Sequence, residues 1–211
     1  MNFISDDIMN YAADHSEAEP ILLKNLYRET NLKVLNPRMI SSSFQGRLLS
    51  FLSKLINPKY ILEVGTYTGY SSLCLCEGLK KNGKIHTIDK NEELSTIQRK
   101  YFNKSVFKNQ IVQHLGNAIN IIPKLNFDFD LIFLDADKEN YIKYFDLVFP
   151  KLKSGGLLIT DNVLWSGKVL KKDLDRETKI IKKYNSKLNK DKRIKNLLLP
   201  IRDGLTLSLK H

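Results

Sequence analysis

Two short apolar runs in this chain each end on acidic side chains. Residues 131–134 lead into Asp135, and residues 157–160 lead into Asp161 and Asn162. Short apolar runs bounded by turn residues are typical of strands buried on both faces. In an open α/β sheet, ligands bind where the parallel strands end. The pattern therefore predicts a mostly parallel sheet with Asp135, Asp161 and Asn162 together at its carboxyl edge.

These three side chains are hard oxygen donors, which suit Mg²⁺ or Ca²⁺ better than Zn²⁺. We expect a divalent cation here, with Mg²⁺ favoured over Mn²⁺ and Ca²⁺. The alternative is helix capping, because Asp135 and Asp137 precede a predicted helix. Capping does not account for Asp161 and Asn162, which no helix follows directly. Lys138 lies three residues after the first acid, within reach of the same place.

From Tyr60 onward, short apolar runs alternate with helical periodicity. This alternation is typical of βαβ units with right-handed crossovers. Two further runs flank Asp203-Gly204 and predict an antiparallel hairpin that closes the sheet. The predicted strands are 60–64, 84–88, 111–114, 130–134, 157–160, 196–201 and 205–209, with helices through 79, from about 92, and over 141–149.

The first third of the chain shows helical periodicity. Ser5 is expected to cap a short helix, and Ser16 a second helix with Pro20 in its first turn. Ser41 to Ser43 offer the N-cap of a third helix, which Asn57-Pro58 ends. These helices precede the sheet and are expected to cover it. The apolar residues of the third helix recur at helical spacing: Phe44, Leu48, Phe51, Leu52 and Leu55.

A chain of 211 residues, 42% of them hydrophobic, is long enough for one core and short for two. We predict a single domain over 1–211, with covering helices in 1–57 and an α/β core in 58–211. No apolar stretch approaches the roughly 18 residues of a membrane span, and residues 1–7 lack a basic segment followed by an apolar one. The expectation is a cytoplasmic protein without membrane contact.

The net charge of +11 is concentrated in one segment. Residues 168–195 hold twelve Lys or Arg against four acids, so they carry eight of the eleven positive charges. Leu174, Ile181, Tyr184 and Leu188 recur there at helical spacing, which favours an amphipathic helix with a solvated lysine face. A nucleic-acid partner is disfavoured because interleaved exposed aromatic residues are lacking.

A glycine-rich turn, Gly65-Thr-Tyr-Thr-Gly69, follows the first predicted strand. Tyr67 stands where a dinucleotide fold places a second glycine to admit pyrophosphate, so a nicotinamide cofactor is disfavoured. Asp89 ends the second strand and suits the two hydroxyl groups of a ribose. Glu63, at the end of the first strand, suits a cationic amine. A ligand with a ribose, an amine and no phosphate chain describes S-adenosylmethionine.

With these features together, the chain resembles the metal-dependent class I O-methyltransferases, the group that contains catechol and caffeoyl-CoA O-methyltransferases. Residues 63–71, 134–141 and 161–167 look like that family's signatures and occur in its order. The resemblance extends from about Met39 to residue 211. It implies an α/β, Rossmann-like class I methyltransferase fold, with a seven-stranded mostly parallel sheet, a C-terminal antiparallel hairpin and helices on both faces.

The resemblance also assigns roles to single residues. The three oxygen donors named above bind the divalent cation, and Lys138 removes the proton from the hydroxyl group to be methylated. The alternative for Lys138 is a surface lysine paired with Asp137 or Glu139. The implied cofactor residues are Ser41, Glu63, Gly65, Thr66, Tyr67, Ser71, Asp89, Ala118, Asp135 and Asp137.

The expected activity is S-adenosylmethionine-dependent and metal-dependent methylation of one hydroxyl group of an aromatic vicinal diol. A cation that holds both oxygens of a catechol lowers the pKa of the phenol and fixes the attacking atom. The acceptor stays open among catechols, caffeoyl esters, flavonoids and small hydroxylated metabolites. One alternative is an RNA-binding or RNA-modifying methyltransferase that uses residues 168–195; another is a non-catalytic dimer scaffold. A homodimer contact is expected through the first forty residues, as in many relatives.

Overall fold

The structure is a computed structural model that describes residues 4–211. Residues 1–3, part of the opening segment expected to contain no leader, lie outside the described residues. The helices are α1 (Asp6–Asp14), α2 (Ile21–Lys33), α3 (Ser43–Ile56), α4 (Tyr70–Cys76), α5 (Ser95–Lys104), α6 (Ala118–Ile121), α7 (Tyr141–Val148) and α8 (Arg176–Lys190). The strands are β1 (Tyr60–Val64), β2 (Lys84–Asp89), β3 (Ile111–Leu115), β4 (Phe129–Leu134), β5 (Leu152–Thr160), β6 (Ile194–Leu199) and β7 (Leu205–Lys210).

The seven strands form one sheet in the order β3-β2-β1-β4-β5-β7-β6. Strands β1 to β5 are parallel, whereas β7 pairs antiparallel with both β5 and β6. Helices pack on both faces: α6, α7 and α8 contribute to one buried cluster, and α2 to α5 to the other. The predicted seven-stranded, mostly parallel sheet with a terminal hairpin is confirmed. The division into residues 1–57 and 58–211 stays a prediction.

The acid-tipped runs are strands, as the sequence predicted. The apolar residues 131–134 of β4 are each fully buried, because β4 lies at the centre of the sheet between β1 and β5. Leu134 pairs with Thr160, and the backbone N–H of Asp161 donates to the carbonyl of Leu134 at 3.0 Å. The two strands therefore end side by side, which brings Asp135 and Asp161 to one edge.

The first two helices agree with the sequence in part. Ser5 caps α1, as predicted, by accepting a hydrogen bond from the backbone of Ile8. Ser16 does not cap α2, and that prediction was wrong: α2 begins only after Pro20. The hydroxyl of Ser16 instead donates to the carbonyl of Ala12 at 2.5 Å. It thereby satisfies a carbonyl that the end of α1 leaves without a helical partner.

Helix α3 forms where predicted, with Ser42 as its N-cap and Asn57 in the left-handed region after its last turn. The face that it buries differs from its apolar stripe: Phe51 is 61% exposed and Leu55 is 67% exposed. The close approach of α4 explains the difference, since a Cβ atom at Gly46 would lie 2.6 Å from the ring of Tyr70. The residues that α3 buries are mostly small or polar: Gln45, Gly46, Leu49, Ser50 and Ser53.

Helix α8 confirms the predicted amphipathic segment except at Leu174, which precedes the N-cap Asp175. Ile181, Tyr184 and Leu188 are buried against α7 and the sheet, and the lysines at 179, 182, 183 and 190 are exposed. Within residues 4–211, every helix is too short or too polar to cross a membrane.

Gly65 joins the ends of β1 and β4. Its φ of +103° lies in a region that side chains rarely adopt, and a Cβ atom there would stand 1.8 Å from the carbonyl oxygen of Asp135. Only glycine lets these two strand ends meet so closely. The contact fixes the glycine-rich turn against the acidic edge.

We expect Gly65→Ala to lower the free energy of unfolding by roughly 2 to 4 kcal/mol, because overpacking adds to backbone strain. Gly155→Ala is the matched control: its φ is +74°, but no atom lies within 4 Å of the added Cβ. That variant should lose only about 1 kcal/mol of stability, which is the cost of the backbone strain. Urea denaturation of both proteins measures the difference, and equal losses would contradict the steric role of Gly65.

Candidate active site

A cavity of about 980 Å³ opens at the carboxyl edge of the parallel strands, the edge where α/β sheets bind ligands. It receives residues from the loops after β1 to β5 and from the segment before α3. Twelve of the thirteen predicted site residues line it: Ser41, Gly65, Thr66, Tyr67, Ser71, Asp89, Ala118, Asp135, Asp137, Lys138, Asp161 and Asn162.

One half of the cavity centres on the carboxylate of Asp89. Its Oδ2 accepts a hydrogen bond from the backbone N–H of Tyr67 at 2.7 Å, and its Oδ1 accepts from that of Asn91 at 2.8 Å. The two bonds fix the plane of the carboxylate and leave each oxygen a further lone pair. Asp89 is therefore prepared to accept the two hydroxyl groups of a ribose.

Tyr67 forms a wall of this half. The residue has a φ of +50°, which turns its N–H towards Asp89. Its hydroxyl donates to the carbonyl of Asn36 at 2.8 Å, and its carbonyl accepts from the side chain of Gln98 at 2.6 Å. Tyr67 thus ties the glycine-rich turn to the segment between α2 and α3, next to the buried Ser41.

Glu63 is the predicted site residue that does not line the cavity. It is fully buried, and it accepts hydrogen bonds from Ser71 at 2.6 Å, from Thr87 at 2.5 Å and from the hydroxyl of Ser72. Burial raises the pKa of Glu63 to about 7, although the three hydroxyl groups oppose that shift. Since Ser71 does line the cavity, Glu63 is placed to orient the Ser71 hydroxyl.

The other half of the cavity contains an acidic edge, formed by Asp135 and Asp161. Asp161 is only 5% exposed, and burial together with the charge of Asp135 raises its pKa to about 7. Lys138 supplies a positive charge, with its Nζ donating to Asp135 Oδ1 at 3.1 Å. Two carboxylates beside one ammonium leave an excess of negative charge in a buried place, which a bound cation would relieve.

The donor set at this edge fits a hard divalent cation. Within residues 4–211, no three His, Cys, Asp or Glu side chains group as a metal site. The candidate set here consists instead of two carboxylates and the amide of Asn162, all of which line the cavity. Oxygen donors of this kind, with open positions left for further ligands, are typical of Mg²⁺. The binding of a cation stays a prediction.

Lys138 is buried at this edge, with 7% of its surface exposed. Its Nζ donates to the hydroxyl of Tyr141 at 2.6 Å, and that hydroxyl donates to the backbone carbonyl of Asp161 at 2.9 Å. The ring of Trp165 lies 5.9 Å from the same Nζ. Glu139 lies instead 3.6 Å from Arg176. The alternative of a surface lysine paired with Asp137 or Glu139 is therefore wrong.

The capping alternative for the acids is wrong as well. Asp137 occupies the position before a short 3-10 turn, but its side chain makes no capping bond. Its carboxylate accepts from the hydroxyl of Tyr144 at 2.6 Å and from the amide of Asn140. Burial raises the pKa of Asp137, but these hydrogen bonds outweigh burial and hold it below its usual value. Asp137 therefore presents a negative charge to the cavity.

The loop after β5 is held in a strained conformation. Asn162, Trp165 and Ser166 have φ values of 58°, 47° and 52°, which residues other than glycine seldom adopt. Such strain persists only where surrounding contacts enforce it, and it is concentrated at functional sites. Trp165 lines the cavity, so this loop shapes the wall beside the acidic edge.

Gln45 and Arg202, two residues near the acidic edge, were not identified from the sequence. Gln45 Nε2 donates to Asp161 Oδ2 at 2.5 Å, and Arg202 lies beside Gln45 and lines the cavity. Gln45 lies at the flank of the apolar stripe of α3, and a polar side chain at that position carries no signal of a contact with Asp161. Arg202 belongs to the turn of the hairpin, where the sequence carries a turn signal and no sign of a ligand.

Comparison with known proteins agrees with this geometry. The family model described as O-methyltransferase matches residues 13–211. Caffeoyl-CoA O-methyltransferase 2 of Zea mays is 35% identical, over 96% of this chain and 82% of the relative. The SAH-bound methyltransferase PaMTH1 of Podospora anserina superimposes with a TM-score of 0.90 at 28% identity, over 98% and 94% of the two chains. The SAM complex of the O-methyltransferase TomG of Streptomyces achromogenes gives 0.88 at 26% identity, over 97% and 96%.

The buried carboxyl of Asp161 leads to a pH-dependent prediction for the protein in the presence of a chelator. Its folded pKa of about 7 lies above the ordinary value of 3.8, so between these pH values the folded state binds a proton that the unfolded state releases. Ionisation of Asp161 therefore removes stability as the pH rises, by at most about 1.4 kcal/mol per pH unit. Asp161→Asn eliminates this contribution.

We thus expect Asp161→Asn to gain stability relative to the wild type as the pH rises from about 4 to about 7. Urea denaturation in EDTA at several pH values measures that difference. Burial, His114 and Lys84 lower the pKa of His86 to about 4, so the titration of His86 raises stability as the pH rises. This effect is the same in both proteins, and it cancels when their stabilities are subtracted. A pH-independent difference would count against an ionisable, buried Asp161.

Proposed function

Because this chain belongs to the O-methyltransferase family, we propose that it methylates one hydroxyl group of an aromatic vicinal diol held on a divalent cation. The methyl donor is S-adenosylmethionine, and the methyl group is transferred to oxygen, as in the family. The requirement for a cation and the choice of a diol as acceptor are proposals beyond the family assignment. One observation supports the cation above all: Asp135, Asp161 and Asn162 bring oxygen donors to one edge of the cavity, where burial and the charge of Asp135 raise the pKa of Asp161.

The reaction requires a sulfonium methyl group and an oxygen nucleophile to meet in line. The two halves of the cavity suit the two reactants, because Asp89 is the last residue of β2 and the acidic edge follows β4 and β5. Gly65, in contact with the carbonyl of Asp135, joins these halves without a side chain between them. The donor and the acceptor would thus occupy one continuous cavity.

The cofactor residues act by position and hydrogen bonding. Asp89 is the acceptor for the ribose hydroxyls, Ser71 is held in place by Glu63, and Tyr67 closes the cavity towards Asn36. Ser41 and Ala118 lie at the cavity surface with little solvent exposure. They leave room for an uncharged adenosyl group and its methionine end.

At the acidic edge, Asp135, Asp161 and Asn162 would hold the cation through oxygen atoms. A bound divalent cation lowers the pKa of a coordinated phenol and orients both oxygens of a vicinal diol. Mg²⁺ is favoured because oxygen donors and open positions match its octahedral shell. The strained loop that carries Asn162 and Trp165 forms the wall against which the aromatic ring of the acceptor would lie.

Lys138 is the proposed general base. Its Nζ is fixed by Asp135 and Tyr141, so the amine is anchored at the edge where the diol would bind. In its neutral form, this amine accepts the proton of the hydroxyl group that is methylated. Burial beneath Trp165 limits access of bulk water to the same atom.

The alternative of an RNA-binding or RNA-modifying methyltransferase has no support beyond charge. The lysines of residues 168–195 are mostly solvated, and from α8 it is Glu177 that lines the cavity. Asp161 and Asn162 also have no evident task in binding RNA. A salt-sensitive complex with RNA, together with no turnover of catechols, would favour the alternative.

We also propose that two copies associate through the apolar surface of the N-terminal helices. Self-association on one patch is the usual arrangement of a two-fold dimer. A solution mass of one chain at micromolar concentration would contradict it. The large exposed apolar residues of these helices include Ile8, Tyr11, Ile21, Leu32, Phe51 and Leu55.

We expect methyl transfer to vicinal-diol aromatic compounds to require a divalent cation. A panel of such compounds and their single-hydroxyl analogues, each assayed with Mg²⁺, Mn²⁺ or EDTA, tests donor, cation and acceptor class together. Turnover should be abolished by EDTA, restored by Mg²⁺ or Mn²⁺, and confined to the diols. Unchanged turnover in excess EDTA would rule out the cation.

Lys138→Met should reduce kcat by about 10²- to 10⁴-fold, the range typical of a lost general base, while the affinity for S-adenosylmethionine stays close to wild type. The assay uses saturating cation, because the variant also removes the positive charge beside Asp135. Lys143→Met, at an exposed lysine of α7, is the control and should keep full turnover. Full turnover of Lys138→Met would show that Lys138 is not the base.

A further inference from the structure

The buried side chain of Gln45 connects helix α3 with the acidic edge. Gln45 lies in the first turn of α3 and is 1% exposed. Its Nε2 donates to Asp161 Oδ2 at 2.5 Å, and its Oε1 accepts from Arg202 Nη1 at 2.9 Å. Three segments that are distant in the chain therefore meet at one carboxamide.

The two partners of Gln45 fix which way its amide points. A guanidinium group only donates hydrogen bonds, so Arg202 requires the oxygen of the amide. An ionised carboxylate only accepts them, so Asp161 requires the nitrogen. If the amide were rotated by half a turn, both contacts would be lost at once in a buried place. Arg202 thereby selects the orientation in which Gln45 presents an N–H group to Asp161.

Arg202 is itself held by the hairpin turn. Its φ is +49°, and its Nη1 also donates to the carbonyl of Ile40 at 3.3 Å. The next residues of the turn bind the loop after β5. The N–H of Leu164 donates to the carbonyl of Asp203 at 2.8 Å, and the N–H of Val163 donates to the carbonyl of Gly204 at 3.1 Å. The turn therefore supports the loop of Asn162 as well as the amide of Gln45.

Asp161 is restrained on both oxygens by these contacts. Its Oδ2 accepts from Gln45, and its Oδ1 accepts from the backbone N–H of Asn162 at 2.7 Å. A carboxylate fixed in this way loses little rotational freedom when it binds a cation. Such supporting hydrogen bonds behind a metal ligand typically change metal affinity by 10- to 100-fold when they are removed.

We propose that Gln45 and Arg202 are positioning residues that set the cation affinity of the acidic edge by orienting Asp161. Gln45 acts on Asp161 directly, and Arg202 acts through Gln45. The inference rests on the proposed function, since it takes Asp161 as a ligand of the cation. It adds two residues to which the proposed function assigns no role.

Titration of the purified protein with Mn²⁺, followed by electron paramagnetic resonance without cofactor or acceptor, tests the proposal directly. Gln45→Met keeps a side chain of similar length and removes both hydrogen bonds. We expect its dissociation constant for Mn²⁺ to rise by about 10- to 100-fold. The affinity for S-adenosylhomocysteine should stay within about threefold of wild type, and high Mg²⁺ should restore kcat.

Two variants of Arg202 test the order of action. Arg202→Met should weaken Mn²⁺ binding, whereas Arg202→Lys should recover part of the affinity, because an ammonium group also only donates. If Arg202 acts through Gln45, the double variant Gln45→Met/Arg202→Met should bind Mn²⁺ no more weakly than Gln45→Met alone. Additive losses would overturn the proposed order.

Ser53→Ala is the matched control on the same helix. The Ser53 hydroxyl is buried and donates to the carbonyl of Leu75 at 2.6 Å, outside the cavity. Its removal should lower stability and leave Mn²⁺ binding unchanged. Wild-type affinity in Gln45→Met would overturn the inference alone, whereas absence of Mn²⁺ binding in the wild type would overturn the cation site and the inference with it. Should Gln45→Met fail to fold, the Arg202 variants decide the question.

Discussion

The imbalance of buried charge at the ends of β4 and β5 is the constraint on which the rest of the structure depends. Parallel pairing places Asp135 and Asp161 side by side, with Asp161 buried and Asp135 partly buried. Like charges repel each other strongly where the dielectric constant is low, and the ion pair of Lys138 with Asp135 offsets only part of that repulsion. Neighbouring groups stabilise these charges by hydrogen bonds. Gln45 and the backbone N–H of Asn162 donate to Asp161, and the hydroxyl of Tyr141 accepts from Lys138.

The sequence predicted the parts of the fold that follow from local patterns. Apolar runs of four or five residues marked the strands, and Asp203-Gly204 marked the hairpin turn. Serine at position 5 identified the first helix end because capping is a contact between near neighbours. The cavity follows from topology, since the carboxyl ends of parallel strands converge wherever the sheet is formed. Twelve of the thirteen predicted site residues consequently lie on its surface.

The sequence failed where a contact depends on how closely two elements approach. The apolar stripe of α3 predicted an inward face, but Gly46 lets Tyr70 of α4 approach so closely that the helix turns its small and polar face inward. Gln45 belongs to that inward face and reaches Asp161. Glu63 is a second example. It lies near the end of β1 as predicted, but its carboxylate accepts hydrogen bonds from Ser71, Ser72 and Thr87 and does not line the cavity. Neither arrangement leaves a periodic signal.

The hairpin turn at residues 202–204 also determines when the acidic edge is complete. Its contacts with Gln45 and with the loop after β5 join residues 157 and roughly 40 positions apart in the chain. Pairings of such sequence separation form only after long loops have closed, which makes them slow. The hydrogen bonds that orient Asp89 span only 22 and 2 positions. We therefore expect the carboxylate of Asp89 to be oriented earlier in folding than the amide of Gln45.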